Sequence, residues 1–354
     1  MRRPRSPPRG RRAPVSAPPS RRGECDPRRA KRGRGGGARD LARARPARGP
    51  LWRHAGCRPP AERGTDRSSP LIDAHQHFWA TVRDDYGWLT PDDEGLYRDF
   101  GPTDLEPLIA EAGIARTILV QAAPTVAETG YLLDIAKATG WIAGVVGWVP
   151  LADPAVGATL DGLAARPGLV GVRPMIQDLP DDDWMLQPAV GHGLEALAAR
   201  ELGFDALVLP RHLGRLLTLC ERHPGLRVVV DHAAKPEIRS GGFEAWARDL
   251  GRIATGTRAC CKISGLVTEA SENWRAEDLR PYVDFLIDRF GPDRLMWGSD
   301  WPVVQLAGGF ARWRDATSEL LQELREDERA AILGKTAARF YRLDADTQSR
   351  GAPA

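Results

Sequence analysis

Short apolar runs recur along the chain from residue 71 onward, and each is followed by a longer segment with mixed polarity. Most of the runs are continuously apolar instead of alternating, which is typical of parallel strands that are covered on both faces. Their lengths of five to seven residues suit strands better than helices. The pattern predicts eight strands, at residues 71–75, 117–121, 142–148, 169–173, 204–208, 227–231, 260–264 and 294–298.

The segments between the runs carry apolar residues at the spacing of one helical face. Each predicted strand is followed by one such segment, and a ninth near the end of the chain is expected to pack across the body. The predicted helices are residues 104–112, 126–139, 156–165, 191–202, 211–222, 242–253, 276–290, 310–323 and 326–341.

Eight strand–helix units over about 275 residues predict an α/β fold, a (β/α)8 TIM barrel, whose typical size is ~250 residues. A doubly wound open sheet is the alternative, but its glycine-rich fingerprint is absent after the first strand. We therefore predict three segments. Residues 70–345 form the barrel, residues 1–69 form a disordered basic tail, and residues 346–354 form a flexible C-terminus.

Charge divides the chain in the same place. Residues 1–69 hold 21 Lys and Arg against 5 Asp and Glu, a net charge of +16, whereas the remainder holds 29 against 42, a net charge of −13. The first segment lacks large aliphatic residues, so it cannot bury enough apolar surface to offset the entropy of ordering. Its charge leaves open either nucleic-acid binding or a dispensable extension. For the acidic body we expect no nucleic-acid partner.

Cysteine usage and hydropathy indicate the compartment. The five cysteines, at positions 25, 57, 220, 260 and 261, form neither a disulfide framework nor a CxxC pair, which suits a reducing cytoplasm. No apolar run is long enough to cross a membrane. An apolar segment is also missing after Arg2 and Arg3, so we expect no export signal. The sequence leaves open whether the chain forms a homo-oligomer.

Ionisable residues collect at the predicted C-terminal ends of the strands, where TIM barrels carry their chemistry. His75 and His77 stand two apart after the first strand, so both imidazoles point to one face. Arg173, His232 and Asp300 follow the fourth, sixth and eighth strands. Other polar or aromatic residues at strand ends or within strands are Gln121, Trp148, Asp205, Asp231 and Ser264.

His75, His77 and Asp300 predict a metal site, because the first and eighth strands become neighbours when the barrel closes. Imidazoles and a carboxylate with one open position describe a hydrolytic zinc site. Such an ion lowers the pKa of bound water toward ~7 and polarises a carbonyl oxygen. Asp300 would take the proton of the water and pass it to the leaving oxygen. The alternative is that two histidines two apart occur here by chance.

Cationic side chains are candidates for binding the substrate. Arg173 is permanently charged and forked, so it suits a carboxylate or a developing oxyanion. Its alternative role is an ion pair at the rim with an acid such as Asp178. Lys235 and Lys262 are further candidates, although a lysine at a strand end is often only solvated.

Two long breaks in the pattern, residues 80–101 and 174–188, are rich in aromatic residues. Long loops on the catalytic face usually shape a pocket or a lid. Trp79, Trp88 and Trp184 are therefore predicted to bind the substrate, and the alternative is that these rings only cover the barrel ends. Of the other histidines only His212, which follows the fifth strand, is kept in reserve; His54, His192 and His223 are predicted to have no catalytic role.

Five motifs in order along residues 71–343 resemble the amidohydrolase superfamily, and within it the branch of sugar-lactone and pyrone lactonases. The motifs are Asp73-Ala74-His75-Gln76-His77-Phe78-Trp79, Val170-Gly171-Val172-Arg173-Pro174, Asp231-His232-Ala233-Ala234-Lys235-Pro236, Cys261-Lys262-Ile263-Ser264-Gly265-Leu266 and Trp297-Gly298-Ser299-Asp300-Trp301-Pro302-Val303.

The resemblance implies a role for each matching residue. His75, His77 and His232 match the superfamily's site histidines, Asp300 matches a general base, and Arg173 matches a position that orients the substrate. Arg173 stands where two-metal members place a bridging lysine, and the fifth strand has no histidine. We therefore expect a divalent metal, a single Zn²⁺, and metal-independent catalysis, as in some lactonases of this branch, is the alternative.

Three functions follow from these features. The leading hypothesis is a hydrolase that opens a small lactone, such as a sugar aldonolactone, by attack of activated water on the ester carbonyl. A metal-dependent decarboxylase of an aromatic or muconate-type acid is the alternative, since such enzymes share the barrel and the His-x-His start. A non-catalytic protein that binds nucleic acid through its tail is the third, and the ionisable residues at the strand ends argue against it.

Overall fold

The computed structural model describes residues 70–343. The predicted disordered tail (residues 1–69) and flexible C-terminus (residues 346–354) lie outside them. Eight strands form one parallel sheet in chain order, which confirms the (β/α)8 barrel. The strands are β1 (Leu71–Gln76), β2 (Ile114–Val120), β3 (Ile142–Gly147), β4 (Leu169–Val172), β5 (Gly203–Ala206), β6 (Arg227–Val230), β7 (Cys260–Ile263) and β8 (Leu295–Trp297).

Helices alternate with the strands as predicted. They are α1 (Pro102–Glu111), α2 (Val126–Ala138), α3 (Val156–Ala164), α4 (Pro188–Ala199), α5 (Leu213–Arg222), α6 (Phe243–Gly256), α7 (Leu266–Glu269), α8 (Ala276–Phe290), α9 (Gly309–Leu320), α10 (Glu326–Ala330) and α11 (Thr336–Phe340). The short α7 was not predicted, and α4 begins three residues earlier than expected because Pro188 suits a first helical turn.

The prediction of one continuous last helix is wrong. A π-helical turn, Ala331–Lys335, separates α10 from α11. Gly334 in this turn lies against the start of β1, where a Cβ atom would stand only 2.3 Å from the carbonyl oxygen of Pro70. The wider turn accompanies this close contact between the helical segment and the barrel, and such turns occur mostly as single interruptions of α-helices.

The C-terminal helical segment packs on the interior of the barrel. Phe340 and Tyr341 belong to the same buried apolar cluster as Ile72 and Val146, whose side chains come from the strands. Phe340 also approaches Gly203 at the start of β5. The segment therefore packs across the barrel, as expected, and it does so at the N-terminal ends of the strands. Within residues 70–343, no helix has the length and apolar character that a membrane span requires.

Hydrogen bonds between β1 and the segment after β8 close the barrel. The Asp300 amide donates to the His75 carbonyl at 2.8 Å, and the His77 amide donates to the Trp301 carbonyl at 2.7 Å. Gly298 permits this approach, since a Cβ atom there would stand 2.6 Å from the Cβ of His75. Closure therefore brings Asp300 beside the two histidines of β1.

Candidate active site

One carboxylate oxygen faces three imidazoles at the C-terminal end of the barrel. Oδ1 of Asp300 lies 3.3 Å from Nε2 of His77, 3.8 Å from Nε2 of His75 and 3.9 Å from Nε2 of His232. The two Nε2 atoms of His75 and His77 are 3.1 Å apart. All four side chains are buried. The structure thus brings together the four residues that the sequence placed at three separate strand ends.

Contacts of the Nδ1 atoms fix the orientation of the imidazoles of His77 and His232. Nδ1 of His77 is 2.8 Å from the Val120 carbonyl oxygen, and Nδ1 of His232 is 2.9 Å from Oγ of Ser264. Gly265 makes room for His232, because a Cβ atom at Gly265 would stand 2.6 Å from Nδ1 of that imidazole. The ring nitrogens that face Asp300 are therefore the Nε2 atoms.

Two of the site residues have strained backbones. His232 has a φ of 51° and Asp300 a φ of 57°, in the left-handed region that costs an L-residue roughly 1–2 kcal/mol. Strain of this kind persists only where the surrounding structure enforces it, and it concentrates at functional sites. The backbone geometry supports a functional role for both residues.

Burial and neighbouring charges give the histidines and Asp300 different protonation states. It lowers the pKa of His75 well below its ordinary value and lowers the pKa of His232 to about 4. Burial alone would raise the pKa of Asp300, but the charge of His232 and the hydrogen bond with His77 hold that pKa far below its usual range. At neutral pH the site therefore holds neutral imidazoles around an ionised carboxylate.

Gln121, at the end of β2, holds Arg173 in place from both sides. Its side-chain amide donates to the Arg173 carbonyl at 2.7 Å, and its backbone carbonyl and Oε1 both accept from Nη2 of Arg173. The guanidinium points into the site, where Nη1 lies 3.3 Å from Nε2 of His75. Its carboxylate neighbour is Asp231, at 3.8 Å, so the alternative of a rim ion pair with Asp178 is wrong.

Lys262 is fully buried, so the view of it as a solvated lysine is wrong. Nζ of Lys262 lies 2.6 Å from Asp205, 3.0 Å from Asp231 and 3.0 Å from Nδ1 of His75. Tyr341 reaches the same cluster from the end of α11 and donates to Asp205 at 2.6 Å. Sequence reasoning missed Tyr341, because nothing in a C-terminal helix indicates that one hydroxyl enters the barrel.

The donor set fits one small cation. Ligand atoms of His75, His77 and Asp300 lie within 4.8 Å of one another, and neutral imidazoles with a carboxylate are what zinc prefers. Two cations, Arg173 and Lys262, stand next to the two ring nitrogens of His75 and oppose a positive ion there. His75, Asp231 and His232 form a second group of ligand atoms within 4.8 Å of one another, but this group shares His75 with the first, and its Asp231 lies 3.0 Å from Nζ of Lys262.

A cavity of about 190 Å³ opens beside the cluster. Trp79, Trp88, Lys235 and Arg173 line it together with His77, His232 and Asp300. Trp184 lines a neighbouring cavity instead. His212 takes no part in the site: it is buried, and its Nε2 lies 3.0 Å from Asp182.

Comparison with known proteins identifies the family. Residues 72–343 match the family model described as amidohydrolase. The chain belongs to the amidohydrolase family. An L-fucono-1,5-lactonase of Burkholderia ambifaria is 46% identical over 279 residues, which cover 77% of this chain and 96% of the relative. The resemblance to the lactonase branch is thereby confirmed.

Solved structures agree with the family assignment. An amidohydrolase of Burkholderia multivorans, crystallised with bound zinc, is 36% identical with a TM-score of 0.73, and the match covers 78% of this chain and all of that one. A 2,6-dihydroxybenzoate decarboxylase, 17% identical with a TM-score of 0.55 over 79% of this chain and all of that one, shares the fold alone. The decarboxylase alternative thus has only distant structural similarity behind it.

Proposed function

We propose that this amidohydrolase opens a small lactone, a sugar aldonolactone or a related one, by attack of water on the ester carbonyl. The observation that carries the proposal is the ionised Asp300 carboxylate facing neutral imidazoles beside Arg173. A base and a cation at the wall of one cavity are what acyl transfer to water requires. The identity to an L-fucono-1,5-lactonase supports a lactone as the substrate.

The proposed reaction follows from the placement of the charges. Asp300 accepts a proton from a water as the water oxygen attacks the carbonyl carbon. Arg173 orients the carbonyl group and stabilises the negative charge that develops on its oxygen, with His232 beside it. The ring C–O bond then breaks, and the proton passes from Asp300 to the leaving alkoxide. The product is the open-chain hydroxy acid.

A single Zn²⁺ held by His75, His77 and Asp300 is part of the proposal. When bound, such an ion lowers the pKa of water and polarises the carbonyl. Zinc bound to the Burkholderia multivorans relative supports a metal in this chain, whereas Arg173 and Lys262 beside His75 favour the metal-independent alternative. Metal analysis of the purified protein, with kcat measured before and after chelation, separates the two.

The remaining roles are proposed from position. Trp79, Trp88 and Lys235 line the cavity and would contact the lactone, whereas Trp184 would contact only a larger substrate. The three described cysteines are free, in keeping with a cytoplasmic enzyme.

The test is a pH-indicator screen of the purified full chain against aldonolactones, pyrone lactones and muconate lactones, with added zinc or with chelator. We expect acid release from at least one sugar lactone at a rate proportional to enzyme concentration. Aromatic and muconate-type acids are assayed in parallel by absorbance. Decarboxylation of such an acid without turnover of any lactone would overturn the proposal in favour of a decarboxylase.

A further inference from the structure

A second, larger cavity adjoins the catalytic one. Its volume is about 680 Å³, and the loops after β1, β2, β3 and β4 form its walls. Trp88, Met175 and Asp178 line both cavities. The other side chains of the second cavity are mostly apolar, among them Trp148, Trp184, Leu151, Leu179, Pro124 and Pro174. The two cavities therefore share a wall and differ in chemistry.

Trp88 belongs to the wall that the two cavities share, and two contacts hold its ring in place. Its Nε1 donates to the Ala122 carbonyl at 2.7 Å, and the ring packs edge-to-face on Trp79 with centroids 5.3 Å apart. The side chain is nevertheless 38% exposed. A large aromatic ring that is held in place while exposed is typical of a surface that binds a ligand.

Size and polarity indicate what the second cavity accepts. The catalytic cavity, about 190 Å³, is smaller than the ~300–1,000 Å³ usual for small-ligand sites, and the two cavities together fall within that range. Asp178 is the ionisable side chain in the wall of the second cavity. Hydroxyl groups seated deep in this cavity would lose hydrogen bonds to water without finding enough partners. Apolar groups have no hydrogen bonds to water to lose when they enter this cavity.

We infer that the second cavity binds an apolar substituent, an alkyl chain or an aryl ring, carried by the lactone whose ester lies beside Asp300. This inference rests on the proposed lactone hydrolysis and narrows its substrate class. The lactone ring occupies the smaller cavity, and the substituent passes Trp88 into the larger one. The chain would then act on lactones larger than a single sugar ring.

The first experiment measures kcat/KM for δ-lactones whose alkyl substituent lengthens from methyl to heptyl. Each methylene buried in the second cavity is expected to raise kcat/KM about fourfold until the cavity is filled, from the free energy of burying a CH2 group. A flat series, or a series that falls with chain length, would overturn the inference. Turnover of a sugar lactone by the same preparation shows separately whether the proposed function holds.

Matched variants locate the effect. Leu179→Asn places a polar group in the second cavity, while Leu306→Asn makes the same change at a residue that is 62% exposed and lines neither cavity. The readout is the ratio of kcat/KM between the heptyl and methyl lactones. Leu179→Asn should lower this ratio at least tenfold and Leu306→Asn should leave it unchanged. Equal ratios in the two variants would show that the alkyl substituent does not bind in the second cavity.

A binding measurement keeps the inference testable if no lactone is hydrolysed. Cyclohexanones with methyl or heptyl substituents carry the ring and the chain but no ester bond. Their Kd is followed by tryptophan fluorescence, since Trp88, Trp148 and Trp184 line the cavity. Tighter binding of the heptyl compound to the wild type than to Leu179→Asn supports the apolar site. Equal affinities for the two compounds would contradict it.

Discussion

At the scale of single residues, Asp300 combines a strained backbone with a carboxylate whose pKa lies far below its usual range. Its carbonyl oxygen accepts from the Val304 amide at 2.9 Å, and its amide donates to His75. These backbone bonds fix the loop after β8 without using the side chain. The carboxylate is therefore not needed to hold the loop, and its Oδ1 faces the three imidazoles of the site.

Asp300→Asn is expected to separate catalysis from structure. The amide keeps the shape and one hydrogen-bonding oxygen but cannot accept a proton from water, and losing a general base typically costs ~10²–10⁴-fold in rate. We expect kcat to fall by at least roughly a hundredfold, while the melting temperature changes little because the loop is held by its backbone. If Asp300 only supports the loop, the variant will melt earlier and keep most of its kcat.

The sequence predicted the residues at the strand ends better than the buried charged cluster inside the barrel. His75, His77 and Asp300 could be placed together because strand ends of a closed barrel meet at one face. The role of Lys262 could not be predicted, since burial of an ammonium group depends on Asp205 and Asp231 from two other strands. Contacts between residues distant in sequence, whose types are common at surfaces, leave no local pattern.

At the scale of elements, the turn between β2 and α2 supports the wall of the site. Glu128, in the first turn of α2, is fully buried and accepts hydrogen bonds from the backbone amides of Ala122 and Ala123. The Ala122 carbonyl in turn holds Trp88, and the preceding Gln121 holds Arg173. One side chain thus fixes the backbone that anchors two residues of the cavity.

Glu128→Gln is expected to change how stability depends on pH. Burial, opposed by the two backbone amides, raises the pKa of Glu128 from 4.5 to about 8. Between these values the unfolded chain loses a proton that the folded protein keeps, so the free energy of unfolding falls as pH rises from 4.5 to 8. Glutamine retains an acceptor oxygen and does not ionise, which removes this loss.

The measurement is urea unfolding of both proteins at pH 5 and pH 9. We expect the variant to gain roughly 4 kcal/mol relative to the wild type between the two pH values, from about 1.4 kcal/mol per pKa unit. Glu277→Gln, on the exposed first turn of α8, is the matched control and should show no such gain. A gain of equal size in the control, or none in Glu128→Gln, would contradict the buried-acid interpretation.

Elements were predictable where the local pattern was strong. All eight strands were found because parallel strands covered on both faces are continuously apolar. The π-helical turn was not found, because it accompanies a contact between Gly334 and Pro70 that lie 264 positions apart in the chain. The short α7 was missed for a different reason, since four residues carry no helical periodicity.

At the scale of the whole molecule, the acidic barrel carries every residue assigned to the reaction. The family match spans residues 72–343, and the Burkholderia ambifaria lactonase is covered over 96% of its length by 77% of this chain. Residues 1–69 supply 21 of the 50 basic residues of the chain but few residues that build a core. Barrel stability and catalysis should therefore be independent of this segment.

A chain that begins at Pro70 is expected to keep the melting temperature and the kcat/KM of the full chain. The physical reason is that β1 starts at Leu71 and that the close contact before it is made by the Pro70 carbonyl against Gly334, so the closing elements of the barrel are intact. Thermal melting and lactone turnover of the two chains, measured side by side, check this. A gel-shift titration with an oligonucleotide at low and high salt tests the alternative role of the basic segment, and salt-sensitive binding by the full chain alone would establish it. Loss of soluble protein or of activity in the shorter chain would show that residues 1–69 belong to the folded enzyme.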